Sequence, residues 1–154
     1  MVVAAAIVAL GLLPASSALA SAGTCGGSGT VTTVTGTLPD GATYKIQCPA
    51  GPWNGTLFLY SHGYVVPGGT NPAQDVGDPV TGAWMLGHGF ALAGSSYAMT
   101  GWAIASALPD QIATLNTFGQ SFGTPRHTIA WGHSLGGIIT AGLLPGDAGK
   151  TILR

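Results

Sequence analysis

The sequence contains no glutamate. Its five acidic residues are all aspartate, they face four lysines and arginines, and only 6% of the chain is charged. A formal net charge of −1 provides no basic stripe for a nucleic-acid backbone and no cationic face for an anionic membrane. Cysteine is nearly absent too. Cys25 and Cys48 are the only two, which excludes a disulfide-dense scaffold. No His/Cys/Asp cluster has metal-ligand spacing, and no phosphate loop of the Gly-x-x-x-x-Gly-Lys-Ser/Thr form is present. No cofactor is therefore expected.

The long apolar run is Met1 to Ala20, almost entirely Ala, Val, Leu and Ile, ending in Ala18-Leu19-Ala20. It reads as a secretory signal peptide cleaved after Ala20 or Ala22, although no Lys or Arg precedes it. A retained anchor is the alternative, but Pro14, Ser16 and Ser17 interrupt the run and make a poor membrane span. The expectation is a secreted protein with no stable membrane association once the leader is removed. In an oxidising compartment the nearby pair Cys25 and Cys48 reads as a disulfide, with two buried free thiols as the alternative. The chain divides into residues 1–20 as leader, 21–29 as a Gly/Ser-rich linker and 30–154 as one domain.

Within that domain, 30–37 and 42–47 are β-rich. Leu38-Pro39-Asp40-Gly41 between them is a turn in which Pro sets φ and Gly supplies a positive φ. A hairpin is expected. Thr56 to Tyr60 is a continuous apolar run, as a strand buried on both faces requires. It leads into Ser61-His62-Gly63-Tyr64. A long Pro/Gly/Asn-rich loop follows, and Asp78-Pro79 opens a helix with Asp as cap and Pro as first helical residue. Phe90 to Ala93 is the next strand. Pro109-Asp110 opens a second helix whose Ile112, Leu115 and Phe118 give it a core face. Thr128 to Trp131 is the last strand. This order predicts an α/β fold, a hairpin followed by parallel strands with helices on both faces.

Gly-x-Ser-x-Gly occurs twice. With 26 glycines and ten serines, chance alone gives roughly 0.3 matches, so the motif needs its context. Gly119-Gln120-Ser121-Phe122-Gly123 ends a helical pattern and runs into Thr124-Pro125, a break. Gly132-His133-Ser134-Leu135-Gly136 follows a strand and precedes a small-residue helix. That is the setting of a nucleophile elbow, where a serine stands on a sharp strand-to-helix turn. Side chains at Gly132 or Gly136 would crowd such a bend.

With these parts in order, the chain resembles the N-terminal part of a secreted bacterial α/β-hydrolase over about residues 30–142. Gly87-His88-Gly89-Phe90-Ala91-Leu92-Ala93-Gly94-Ser95-Ser96-Tyr97, followed by Gly101-Trp102, is similar to segments of secreted esterases and prolyl-oligopeptidase-like hydrolases. The resemblance implies a serine hydrolase that cleaves an ester or a peptide bond of a small-molecule or peptide substrate through an acyl-enzyme. It implies Ser134 as nucleophile and Leu135 N–H as one oxyanion donor. It further implies His62 and Gly63 as the oxyanion loop, with Tyr64 N–H as the second donor. The family's order is Ser, then Asp or Glu, then His. Only Asp147 and no histidine follow Ser134, so the expected reading is a fragment lacking its acid and base, inactive alone and with Thr128–Trp131 left as a sheet edge. A non-catalytic exported binding protein on the same fold, or an inactive truncated product, is the alternative.

The remaining residues have blander readings. His133 is expected to pack under the turn, and His62 to make a structural hydrogen bond beside the site. His88 and His127 are expected at the surface. Asp75, Asp78 and Asp110 read as loop and cap residues, and Trp84 and Trp131 as core. Trp102 is kept as a candidate pocket wall.

Overall fold

The computed structural model describes residues 23–144. The leader with its cleavage site, and the tail with Asp147, lie outside the described residues. Eight elements follow in order: β1 (Thr32–Thr37), β2 (Thr43–Cys48), β3 (Thr56–Ser61), α1 (Pro79–Gly87), β4 (Ala91–Ser95), α2 (Ile104–Phe122), β5 (His127–Gly132) and α3 (Leu135–Leu143). Among the described residues the strands form one mixed five-stranded sheet in the order β1-β2-β4-β3-β5. The α/β arrangement and the opening hairpin are as the sequence predicts.

The hairpin turn forms where Pro39 and Gly41 place it. Leu38 N–H donates to Ala42 O at 2.7 Å and Gly41 N–H to Leu38 O at 3.0 Å, with Gly41 at φ 94°. β2 then pairs antiparallel with β4, and β3 pairs parallel with both β4 and β5. The two crossovers leave β3 in the middle of its parallel trio. The carboxyl ends of β3 and β5 are therefore neighbours, with Ser61 opposite Gly132. Ligand sites of open α/β sheets lie outside such strand ends.

Period-2 alternation divides the sheet faces. Leu57, Leu59, Ala91 and Ala93 form a buried core with Ile46, Cys48, Phe118 and Leu143, so α2 and α3 cover this face. On the other face Phe58, Tyr60 and Trp131 make an aromatic layer, with Tyr60 and Trp131 centroids 4.8 Å apart and Phe58 edge-on to Phe90 at 5.1 Å. Trp131 is half-buried there, whereas Trp84 on α1 is largely exposed and stacks on His88 at 4.1 Å instead of entering the core.

Cys25 and Cys48 are disulfide-bonded, 23 residues apart in sequence. Closing a loop of that length stabilises by about 3 kcal/mol on a chain-entropy reckoning. The Gly/Ser-rich stretch around Cys25 is hydrogen-bonded and not free, since Gly27 N–H donates to Gly51 O at 2.8 Å and Gly29 N–H to Ala50 O at 3.0 Å.

Every strand end lies within two residues of expectation, and one helix start departs further. Asp78 caps α1 as predicted, accepting from Val80 N–H and Thr81 N–H. But α2 begins at Ile104, with Pro109 inside it. Pro109 cannot donate to Ala105 O. Both residues are exposed, so water can take up that carbonyl, and the helix continues through the proline. β4 also starts one residue late and extends to Ser95, because its partner β2 runs on to pair Tyr44 with that serine.

Candidate functional site

Ser134 separates β5 from α3 with φ 53° and ψ −126°. Gly136 N–H donates to His133 O at 2.9 Å and closes a four-residue turn. Ser134 occupies its second position with the backbone angles of a type II′ turn, where glycine dominates. A serine held there stores about 1–3 kcal/mol of strain, and such strain gathers at functional sites. The side chain is exposed and caps nothing at the start of α3.

The flanking glycines are required by contact. A Cβ on Gly132 would sit 2.5 Å from Ser61 O and 2.7 Å from Gly136 O, and one on Gly136 would collide with Ser61 O and lie 2.7 Å from His62 O. The elbow thus rests directly on the end of β3 and on the first residue of the loop that follows. This contact brings Ser61, His62 and Gly63 against Gly132, His133 and Gly136, the residues around Ser134. Leu135 opens α3, so its N–H has no acceptor within the helix. Its side chain is buried with Tyr97, Ala103, Ala107 and Ile139. Tyr64 is at the surface.

His62 is a strut. It is buried, its Nδ1 lies 2.7 Å from Gly63 O and its Nε2 3.1 Å from Ser96 O. The ring stacks on Tyr97 at 4.0 Å. Tyr97 returns a hydrogen bond from its hydroxyl to His62 O at 3.1 Å, and burial pushes that hydroxyl's pKa up. His133 lies across Tyr60, with Nδ1 2.7 Å from the Tyr60 hydroxyl. Its ring is exposed and sits over the turn's neighbour, as a Cβ on Gly63 would come 3.0 Å from its Nε2. His88 bonds Trp84 O at 2.7 Å, and both it and His127 are at the surface. Among the described residues no histidine hydrogen-bonds to Ser134.

Sequence reasoning missed the support beneath the elbow. Gln111 is fully buried on α2 and donates from Nε2 to Tyr60 O at 2.6 Å and to Ser61 Oγ at 2.8 Å. It holds the carbonyl end of β3 on which both elbow glycines rest. Its neighbour Asp110 is also buried, accepts from Ala98 N–H at 2.8 Å and so fixes the loop that carries Tyr97. Burial and then the facing Asp40 push the Asp110 carboxyl up to about 6. A signal existed. The buried positions of α2 are Ala107, Asp110, Gln111, Thr114 and Phe118, so three polar residues lie on the inward stripe, where a buried polar group must have a partner.

A cavity of about 890 Å³ lies elsewhere, lined by Lys45, Gln47, Asp75, Val76, Ala83 and Leu86 among others, and by no residue of the elbow. Lys45 and Asp75 pair there at 2.9 Å. Burial raises the Asp75 carboxyl's pKa and the lysine opposes it, the pattern of a structural ion pair. Among the described residues no group of three His, Cys, Asp or Glu could hold a metal ion, and no helix is long and apolar enough to cross a membrane. No protein-family model and no curated protein sequence matches this chain.

Proposed function

We propose that this chain carries the nucleophile and the oxyanion donors of a serine hydrolase of the α/β-hydrolase class, acting on an ester or a peptide bond. The observation that carries the reading is the backbone of Ser134, a non-glycine residue at φ 53° and ψ −126° between a strand and a helix. That geometry presents its hydroxyl at the carboxyl edge of the sheet. The hairpin, the parallel strands and the His62-Gly63 loop after β3 support the same class.

In this reading Ser134 Oγ attacks the carbonyl carbon while a general base takes its proton. Leu135 N–H and Tyr64 N–H receive the charge that develops on the carbonyl oxygen. The bond to the leaving group breaks, the leaving group departs with the proton, and water releases the acid from the acyl-serine. Losing one donor of such a pair lowers turnover by about 10²–10³. A serine hydroxyl is a weak nucleophile without a base. The rings of His62 and His133 are engaged with Gly63 O, Ser96 O and the Tyr60 hydroxyl, so the base is assigned to neither. This engagement favours one second reading, a binding protein that keeps the elbow without the chemistry. Both readings place the protein outside the cell, as the leader pattern implies.

Chemical rescue separates them. The whole chain is treated with a fluorophosphonate, with and without imidazole as external base, and the intact mass is followed. The hydrolase reading expects slow adduct formation at Ser134, accelerated by imidazole and absent in Ser134→Ala, with negligible ester turnover by the chain alone. A folded protein that gains no adduct at any imidazole concentration is a binding protein. Equal labelling at Ser121 overturns the assignment of the elbow.

A further inference from the structure

The loop after β3 and the loop before α2 meet outside the strand ends and place two aromatic rings in contact. Tyr64 and Trp102 have centroids 5.8 Å apart with their planes tilted by 59°. Trp102 is 74% exposed and Tyr64 44%, and Val66 and Met99 on the same loops are exposed by 64% and 62%. An exposed cluster of large apolar groups is the informative exception on a protein surface.

Its position follows from its neighbours. Tyr64 is the residue whose N–H is assigned to the oxyanion. Trp102 precedes Ala103, which is buried in one cluster with Leu135, the other assigned donor. The aromatic pair thus stands on the two loops that lead to the assigned donors, Tyr64 itself on one and Trp102 next to a member of the Leu135 cluster on the other. The loops are preformed. Gly101 N–H donates to Val65 O at 2.7 Å and Gly68 N–H to Thr100 Oγ1 at 3.0 Å, and Gly101 takes φ 82° to make the approach. Residues 61–72 and 96–109 contain no Asp, Glu, Lys or Arg, and Asp110, which lies against the second loop, is buried and turned onto Ala98 N–H, so the two loops themselves offer no charged side chain to hold a charged substituent or offset its desolvation.

We propose that Tyr64 and Trp102 form a preformed platform for the uncharged, apolar substituent of the ester held at Ser134, which makes the substrate class neutral esters with a long aliphatic or aromatic group. This rests on the reading of Ser134 as nucleophile, but the platform can be tested without any chemistry. N-octylacetamide, an unreactive neutral analogue of an octyl ester, and N-ethylacetamide are titrated into the whole chain calorimetrically. The octyl amide should bind at least tenfold more tightly than the ethyl amide. Trp102→Ala should remove most of that difference, Tyr64→Ala part of it, and Trp102→Phe should restore it. Trp84→Ala, an exposed tryptophan away from the platform, and Ser134→Ala should leave it intact. Octyl binding without any fluorophosphonate adduct keeps the platform and rejects the nucleophile. Unchanged octyl binding in the Tyr64 and Trp102 variants, or an equal loss in Trp84→Ala, overturns the platform. So does a Trp102-dependent dimer in sedimentation with no amide binding, because the surface is then an interface between copies.

Discussion

The two Gly-x-Ser-x-Gly segments have the same spacing and opposite surroundings. Ser121 lies inside the last turn of α2 in ordinary helical geometry, and its carbonyl accepts from Gly23 N–H at 2.7 Å. Its flanking Gly119 and Gly123 have open space around them, and Gly123 merely ends the helix at φ 91°. Ser134 is strained, and its flanking glycines press on the carbonyls of Ser61 and His62. The motif letters therefore say little. What distinguishes the second copy is a neighbouring strand end against its glycines, so the same substitution should have different consequences in the two places.

The largest contrast is expected from alanine at the glycines. Gly136→Ala drives a methyl group into Ser61 O, a backbone atom that cannot swing away, and should destabilise by about 3 kcal/mol or more. Gly119→Ala meets nothing within 4 Å and sits in a helix. It should stabilise by about 0.5–1 kcal/mol by restricting the unfolded chain. Urea unfolding of both variants measures the difference. Comparable effects at the two positions would mean that the elbow does not rest on β3.

Gln111 tests the same support from the other side. Gln111→Leu leaves Tyr60 O and the Ser61 hydroxyl buried without their donor and should destabilise by about 2–3 kcal/mol. It should also slow fluorophosphonate labelling at Ser134. Ser121, at the far end of the same helix, gives the control, since Ser121→Ala should change neither stability nor labelling measurably.

The elements themselves were readable because their signals are local. Asp78-Pro79 can hardly be anything but a helix start, Pro39 and Gly41 dictate a turn, and a strand, a sharp Gly-x-Ser-x-Gly bend and a helix follow one another within seventeen residues. Gln111 and Asp110 were obscured by Pro109, which reads as a helix boundary and hid the first turn of α2. Their roles depend on which strand end lies beneath them, and that is a property of the crossover. Trp84 illustrates the same limit, because an aromatic residue at helical spacing gives no sign of which neighbour will fail to cover it.

A smaller effect of opposite sign is expected from glycine at the serines. Ser134→Gly removes the left-handed strain and should stabilise by about 1 kcal/mol while abolishing the adduct. Ser121→Gly puts glycine in an unstrained helix and should cost about 0.5 kcal/mol. A loss of stability in both would show that Ser134 is not strained in solution, and the elbow would lose its main support.

The smallest effect concerns pH and separates the two ends of α2. Asp110 at the elbow end is buried beside Asp40 with its carboxyl raised to about 6, and Ala98 N–H only partly offsets this. A carboxyl raised on folding binds its proton more tightly in the folded state. Its contribution to stability is complete below the unfolded value near 3.8 and is lost as pH rises through about 6. Melting temperature should therefore decline between roughly pH 4 and pH 7 from this group. Asp110→Asn, which stays neutral while its side-chain oxygen can still accept from Ala98 N–H, should flatten that slope. Asn116→Asp, at an exposed position nearer the Ser121 end, should leave the slope unchanged. If Asp110→Asn retains the full decline, the pH dependence belongs to another group, and Asp110 acts at the Tyr97 loop through its hydrogen bond alone.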